Sequence, residues 1–263
     1  MAALAKEIAL ITGANSGIGY EIARQLLAKG TYHVLLCSRS SQKGSAALQD
    51  LRSQNLPGSV ELLTLDVQSD QHIHEAATSI TQSHGKLDIL VNNAGVALPS
   101  GATERERLQT AFDTNAAGPY LLAKALIPLL RKSANPRIIN ISSGAGSISR
   151  RLFPESPMYK IQGIPYRASK TALNMITSCL HVEYGLGIEQ ADGEKVEGEV
   201  EGKRMKVFSF DPGYTVSNLS EHNKTEFGAR SAEETVFSIM DVVLGKRDAD
   251  VGKFIHNSGE YPW

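Results

Sequence analysis

The sequence predicts an α/β protein: a doubly wound parallel sheet with helices on both faces. Three observations carry that prediction. Short β-branched runs alternate with longer helical patterns along the chain, the signature of strand–helix–strand units. The 263 residues, 41% hydrophobic and 21% charged, are enough to bury one large core. No internal repeat or long linker divides them, so residues 1–263 read as a single domain.

The elements follow in order. Ile8-Ala9-Leu10-Ile11-Thr12 is an apolar run closed by Gly13, the first strand. Ile18, Ile22 and Leu26 then recur every four residues, and Lys29-Gly30 ends that helix. Tyr32 to Cys37 is the second strand and Ser41 to Arg52 a polar helix. Val60 to Leu65 is the third strand, followed by a helix over Asp70 to Thr81 with Asp70 as its N-cap. Leu87 to Val91 is the fourth strand. A long helix from Glu104 to Arg131 is broken near Gly118-Pro119 and kinked at Pro128. Arg137 to Ile141 (strand), Tyr166 to Tyr184 (helix), Met205 to Phe210 (strand), Ala232 to Val243 (helix) and Lys253 to Ile255 (strand) complete the pattern. Two stretches look inserted. Gly144 to Pro165 has 22 residues with three prolines, and Glu189 to Glu201 carries six acidic residues against one lysine. Structureless loops of this size are usually functional or mobile.

Composition excludes some classes. Lys and Arg total 27 against 28 Asp and Glu, a net charge of −1, which argues against nucleic acid as the partner. No apolar run approaches the ~20 residues of a membrane span. The stretch from Met1 to Ile11 runs directly into a strand pattern and does not read as a signal peptide, so a cytoplasmic setting is expected. The two cysteines, Cys37 and Cys179, have no metal-ligand spacing and read as buried small apolar residues in a reducing compartment.

Ligands of such sheets bind beyond the carboxyl ends of the strands. Thr12-Gly13-Ala14-Asn15-Ser16-Gly17-Ile18-Gly19 joins the first strand to the first helix. Gly13, Ser16, Gly17, Ile18 and Gly19 are therefore candidate contacts to a pyrophosphate on the helix's positive end. The plainer reading is a tight strand–helix connection. Twenty residues after Gly19 stands Arg39, preceded by Ser38, and no acidic residue occurs between Thr31 and Gln49. A carboxylate there would hold the ribose of NAD, whereas a guanidinium suits a 2′-phosphate. NADP(H) is the expected cofactor, the alternative being a solvated surface arginine. Asp66, followed by Val67, ends the third strand; its carboxylate either accepts the adenine amino group or caps the helix at 70. In Asn92-Asn93-Ala94-Gly95, Ala94 and Gly95 let backbone pass beside a ribose, and the asparagines can tie strand ends together.

Tyr166-Arg167-Ala168-Ser169-Lys170 puts a phenol and an ammonium one helical turn apart. A tyrosine with pKa ~10 needs help to act near neutral pH, and a neighbouring cation stabilises its phenolate. The spacing alone is cheap. Tyr120 and Lys124 repeat it among Leu121, Leu122, Ala125, Leu126 and Leu129, which read as a packing stripe. Tyr166 differs by opening its helix after Pro165. Ser143, at the end of Ile138 to Ser142, is either a donor to a substrate oxygen or a plain turn hydroxyl.

Taken together, Thr12-Gly13-x3-Gly17-x-Gly19, Asn92-Asn93-Ala94-Gly95, Asn115, Ser142-Ser143, Tyr166-x3-Lys170 and Asp211-Pro212-Gly213 resemble, in order and over nearly the whole chain, the short-chain dehydrogenase/reductases. The resemblance implies a Rossmann-type sheet and a hydride transfer between nicotinamide and a small-molecule carbonyl or alcohol. It implies Tyr166 as general acid, Lys170 lowering the tyrosine pKa and holding the nicotinamide ribose, and Ser143 bonding the reacting oxygen. It further implies Asn115 holding a relay water, Asp66 and Asn93 on the adenosine side, and Pro212, Gly213 and Thr215 on the carboxamide. The segment between Ser143 and Tyr166 is longer than usual and resembles the carbonyl reductase branch. There Phe153, Met158, Tyr159 and Ile161 would form a lid, and Arg150, Arg151 and Lys160 either meet an anionic substrate or stay solvated. The insertion leaves open whether the protein is a monomer or a homo-oligomer. An epimerase, dehydratase or cyclase on the same scaffold is the alternative activity. A non-catalytic NADP(H)-binding protein is a further one, against which Tyr166 and Lys170 both argue.

Overall fold

The computed structural model describes residues 6–156, 159–160, 162–186 and 204–263. The acidic segment 189–201, and Met158 and Ile161 of the expected lid, lie outside the described residues. One eight-stranded sheet organises the chain, in the order β3-β2-β1-β4-β5-β6-β7-β8. Its strands are β1 (Glu7–Ile11), β2 (Tyr32–Ser38), β3 (Ser59–Thr64), β4 (Ile89–Asn92), β5 (Arg137–Ile141), β6 (Lys206–Asp211), β7 (Phe254–His256) and β8 (Gly259–Glu260). All pairings are parallel except β7 with β8. The expected α/β fold is the one observed; β8, two residues long, has no signal in the sequence.

The strands are apolar on both sides because both faces are covered. In β1, Ala9 and Ile11 point into one core with Ile22 and Leu26 of α1 (Gly17–Lys29). Ile8 and Leu10 point into the other. There they meet Ile73, Ala76 and Ile80 of α3 (Asp70–Ser83) and Leu122 and Leu126 of α5 (Gly118–Leu130). The remaining helices are α2 (Ser41–Ser53), α4 (Glu104–Phe112), α6 (Ile148–Leu152), α7 (Ile164–Leu180) and α8 (Ala232–Val243). Among the described residues no helix is long and apolar enough to cross a membrane.

Five local expectations are corrected. Ser69, whose side chain accepts the His72 N–H, caps α3; Asp70 is the first helical residue, and Asp66 does not cap it. The long helix does not break at Gly118-Pro119. It passes through a π-helical turn, Asp113–Ala117, between α4 and α5. Gly118 is there for packing, since a Cβ would stand 2.5 Å from the Val67 carbonyl oxygen. Pro119, lacking an N–H, leaves the carbonyl of Asn115 without its i+4 donor. Residues 144–165 are not structureless, because a 3-10 turn, Gly144–Gly146, and α6 lie within them. Cys179 is exposed, unlike buried Cys37. Finally, Leu122, Leu126 and Leu129 of the α5 stripe are buried but Leu121 is exposed.

The chain leaves β1 for β2 and β3, then returns to place β4 on β1's other side. This reversal opens a crevice beyond the carboxyl ends of the strands. Asparagines close the seam. Asn93 Nδ2 donates to the Thr12 carbonyl at 2.8 Å, and Asn92 Nδ2 to Asn140 Oδ1 at 2.8 Å.

Candidate active site

A crevice of about 780 Å³ opens at those strand ends. It is lined by Gly13, Ser16, Gly17, Ile18, Ser38, Arg39, Asp66, Val67, Asn93, Ala94, Gly95, Ser143, Tyr166, Lys170, Pro212, Gly213 and Thr215. Of the candidate catalytic and cofactor-binding residues, Gly19 and Asn115 do not line it; among the described residues expected at the substrate cleft, Arg150 does, but Arg151, Phe153, Tyr159 and Lys160 do not. Gly19 and Asn115 stand behind its wall. A Cβ on Gly19 would lie 2.5 Å from Asn93 Nδ2 and 2.8 Å from the Gly13 carbonyl oxygen. Asn115 Nδ2 donates to the Val96 carbonyl at 2.8 Å and to Ser169 Oγ at 2.9 Å, while its Oδ1 accepts the Val96 N–H at 2.8 Å.

The glycine turn presents an open helix end. Gly13 and Gly17 adopt φ of +62° and +58°, conformations that L side chains rarely take. Side chains of Ser40, Ser69, Thr103 and Ser231 cap α2, α3, α4 and α8, but Ser16 makes no such bond to α1. The first N–H groups of α1 are thus left to an anion. Gly19→Ala pushes a methyl into Asn93 and the Gly13 carbonyl. Overpacking of this kind costs about 1–3 kcal/mol, so calorimetry is expected to show Tm lower by several degrees, with weaker dinucleotide binding.

At one end of the crevice, the exposed Arg39 is joined by Lys43 of the first turn of α2. Lys43 was not singled out from sequence, although it follows Arg39 by four residues in the same acid-free stretch. Ser38 is buried and its hydroxyl donates to the Ser40 carbonyl at 2.9 Å, so it shapes the turn. Asp66 Oδ1 accepts the Gln68 N–H at 3.1 Å. At the other end, Thr215 is buried and donates to the Gly213 carbonyl at 3.1 Å.

The Ser143 hydroxyl lies beside the Tyr166 phenol, close enough to favour its ionised form. Lys170 Nζ stands 5.9 Å from the Tyr166 ring centroid and donates to the Ile141 carbonyl at 2.7 Å. The decoy pair differs: Lys124 Nζ bonds the Tyr184 hydroxyl at 2.8 Å, not Tyr120. Burial pushes the Tyr166 phenol up to about 12; the neighbouring Ser143 hydroxyl opposes this, and the Asp211 carboxylate adds to it. The sequence expectation that Lys170 lowers the phenol is therefore not met in the crevice by itself. Burial pushes the ammonium down to about 8, with Asp211 opposing.

Asp211, from the end of β6, was not singled out as a site residue. Its Oδ1 accepts the Gly213 N–H at 2.9 Å, and the Gly144 N–H just past the end of β5 faces the same carboxylate. Burial raises its pKa, opposed by those two N–H groups and by Arg150. Arg150 is not solvated: its guanidinium carbon stacks 3.8 Å from the Tyr261 ring centroid, and its Nη1 is buried without a hydrogen-bond partner. Both residues line the crevice.

Burying an ammonium has a stability consequence. The folded-state pKa of Lys170, about 8, lies below the ~10.4 of a free lysine. The unfolded chain therefore binds more proton between these values, and stability rises as pH climbs through that window. The gap corresponds to about 3 kcal/mol at most. Lys170→Met removes that penalty and forfeits about 1 kcal/mol for the bond to Ile141. The ligand-free variant is expected to melt on the order of 4–8 °C higher near pH 7; a lower Tm would contradict the penalty.

Fold and crevice together define an α/β protein with a ligand-sized cleft beyond the carboxyl ends of its strands. The family model for short chain dehydrogenase matches residues 7–189. A short-chain dehydrogenase of Penicillium roqueforti is 40% identical over 68% of this chain and 73% of its own length. A short-chain dehydrogenase/reductase of Aspergillus fumigatus is 31% identical over 98% of this chain and 97% of its own. The crystal structure of an NADPH-bound carbonyl reductase from chicken fatty liver is similar at a TM-score of 0.76 and 26% identity, covering 99% of this chain and 100% of that one. The chain belongs to the short-chain dehydrogenase/reductase family of oxidoreductases.

Proposed function

We propose that this protein is an NADPH-dependent oxidoreductase that reduces a ketone or aldehyde, with Tyr166 as the general acid/base. The observation that carries the reading is the meeting of Ser143, Tyr166 and Lys170 in a crevice that also contains an uncapped helix start and two further cations, Arg39 and Lys43. The residues fit a phosphorylated dinucleotide. Gly13, Ser16, Gly17 and Ile18 receive the pyrophosphate, and Arg39 with Lys43 receives the 2′-phosphate. Asp66 and Val67 flank the adenine, while Asn93, Ala94 and Gly95 form the wall beside its ribose. Pro212, Gly213 and Thr215 receive the carboxamide. The NADPH bound by the chicken carbonyl reductase is consistent with this assignment.

Bound NADPH supplies hydride to the carbonyl carbon. Ser143 donates to the carbonyl oxygen and fixes its direction. Tyr166 is protonated at neutral pH because burial holds its phenol high. It passes that proton to the oxygen as negative charge builds there. Lys170 holds the nicotinamide ribose and stabilises the phenolate left behind. Asn115 holds the relay water through its main-chain carbonyl, since its side-chain amide is committed to Val96 and Ser169.

The test is a panel of ketones and aldehydes incubated with protein and NADPH. Reduced-nicotinamide absorbance is expected to fall, with one alcohol formed per NADPH consumed. NADPH that binds but is consumed with no carbonyl in the panel would overturn the assignment.

A further inference from the structure

The pole of the sheet opposite the crevice carries a second cluster of chemistry-bearing side chains. His33 stands near the start of β2, Glu61 near the start of β3, and His84 at the C-cap of α3. One ligand atom from each lies within 4.8 Å of the other two. His84 Nε2 is 2.8 Å from Glu61 Oε1, and His33 Nε2 is 3.6 Å from the same oxygen. The two imidazole rings are 5.0 Å apart, centroid to centroid.

Hydrogen bonds alone leave this cluster unsatisfied. His33 Nδ1 is 2.8 Å from Ser59 Oγ, which also accepts from Lys6 Nζ at 3.3 Å. His33 Nε2 is buried and has no partner. A separation of 3.6 Å from Glu61 is too long for a hydrogen bond. If Nδ1 carries the proton and donates to Ser59, the bare Nε2 lone pair faces a carboxylate oxygen. If Nε2 carries it, a buried N–H points at an oxygen out of reach. A cation between the ligand atoms resolves the first arrangement, with Ser59 as the outer partner that fixes the tautomer.

We propose that His33, Glu61 and His84 form a binding site for a divalent transition metal of the zinc class. Two imidazoles and a carboxylate suit zinc, copper or nickel, not magnesium or calcium. With bond lengths of about 2.0–2.2 Å, ligands of a tetrahedral zinc stand roughly 3.3 Å apart. The separations of 2.8 and 3.6 Å bracket that spacing. The half-exposed Glu61 leaves the fourth position open to water. The ion joins the end of α3 to the β2–β3 edge, remote from the crevice, and takes no part in hydride transfer.

The test uses untagged, chelator-treated protein and zinc chloride, read by titration calorimetry, elemental analysis and Tm. Wild type is expected to bind one zinc per chain and to melt higher with it. His84→Ala and the near-isosteric Glu61→Gln should each weaken binding at least tenfold, while carbonyl reduction is unchanged. Ser59→Ala, which removes only the outer partner, should weaken it roughly tenfold. Circular dichroism of Glu61→Gln separates loss of the site from loss of the fold. Wild type without stoichiometric zinc at about 100 µM, a weak-affinity limit, overturns the proposal. So does binding that survives both ligand variants, or that disappears instead with Cys179→Ser.

Discussion

Tyr166→Phe is expected to lower kcat/KM for carbonyl reduction by about 10³-fold or more, within the range set by loss of general acid catalysis and a hydrogen bond to the developing alkoxide. The phenyl ring keeps the crevice wall, so the Kd for NADPH should stay within about threefold, a change under 1 kcal/mol. Ser143→Ala leaves the phenol and removes only an oxygen donor, for which about 10²-fold is expected. The pH profile checks the same assignment. With the Tyr166 phenol pushed up to about 12, the acid form dominates at neutral pH. Reduction should be flat there, and alcohol oxidation, which needs the phenolate, should rise about tenfold per pH unit. A Tyr166→Phe enzyme that retains a tenth or more of wild-type turnover would remove Tyr166 from the chemistry.

What the sequence made legible, and what it did not, follows from the range of the interactions. The turn at Gly13 to Gly19 and the pair Tyr166 and Lys170 are local patterns, readable because a turn or one helical face fixes their geometry. Lys43 was also within reach of the sequence, four residues beyond Arg39 in the same acid-free stretch and in the first turn of α2. Arg150 was singled out, but its packing could not be read, because the Tyr261 ring beneath it comes from the far end of the chain. Nor could the role of Asp211, whose carboxylate is aimed by the Gly213 and Gly144 N–H groups. Asn115 was found by resemblance. However, nothing in its neighbours announced the π-helical turn that seats it behind the wall and commits its amide to Val96 and Ser169. The direction of the Tyr166 shift was missed for a related reason. Sequence brings the ammonium near, but desolvation depends on how the whole crevice closes around both groups.

Arg39→Asp is expected to exchange the cofactor. Wild type should prefer NADPH over NADH by about 10²-fold in kcat/KM, which corresponds to about 2.7 kcal/mol. Charge-assisted bonds from one guanidinium are worth about 1.5–3 kcal/mol. Arg39 is exposed, which places its share toward the lower end, and Lys43 on the same wall supplies the rest. The aspartate reverses the sign locally: it repels a 2′-phosphate and accepts the paired hydroxyls of an unphosphorylated ribose. The NADPH/NADH ratio should therefore fall by about 10³-fold or more, with kcat on the preferred cofactor little changed, because the substitution lies at the far end of the dinucleotide from Tyr166. Lys43→Gln alone should lower the ratio by about tenfold, in keeping with an exposed cation. Salt distinguishes charge from shape. The wild-type preference should shrink as ionic strength rises, since exposed charges are screened within about 10 Å at 0.1 M, and the Arg39→Asp enzyme should show the opposite trend for NADPH. A wild-type enzyme using NADH as well as NADPH at low salt would show that this wall reads no phosphate.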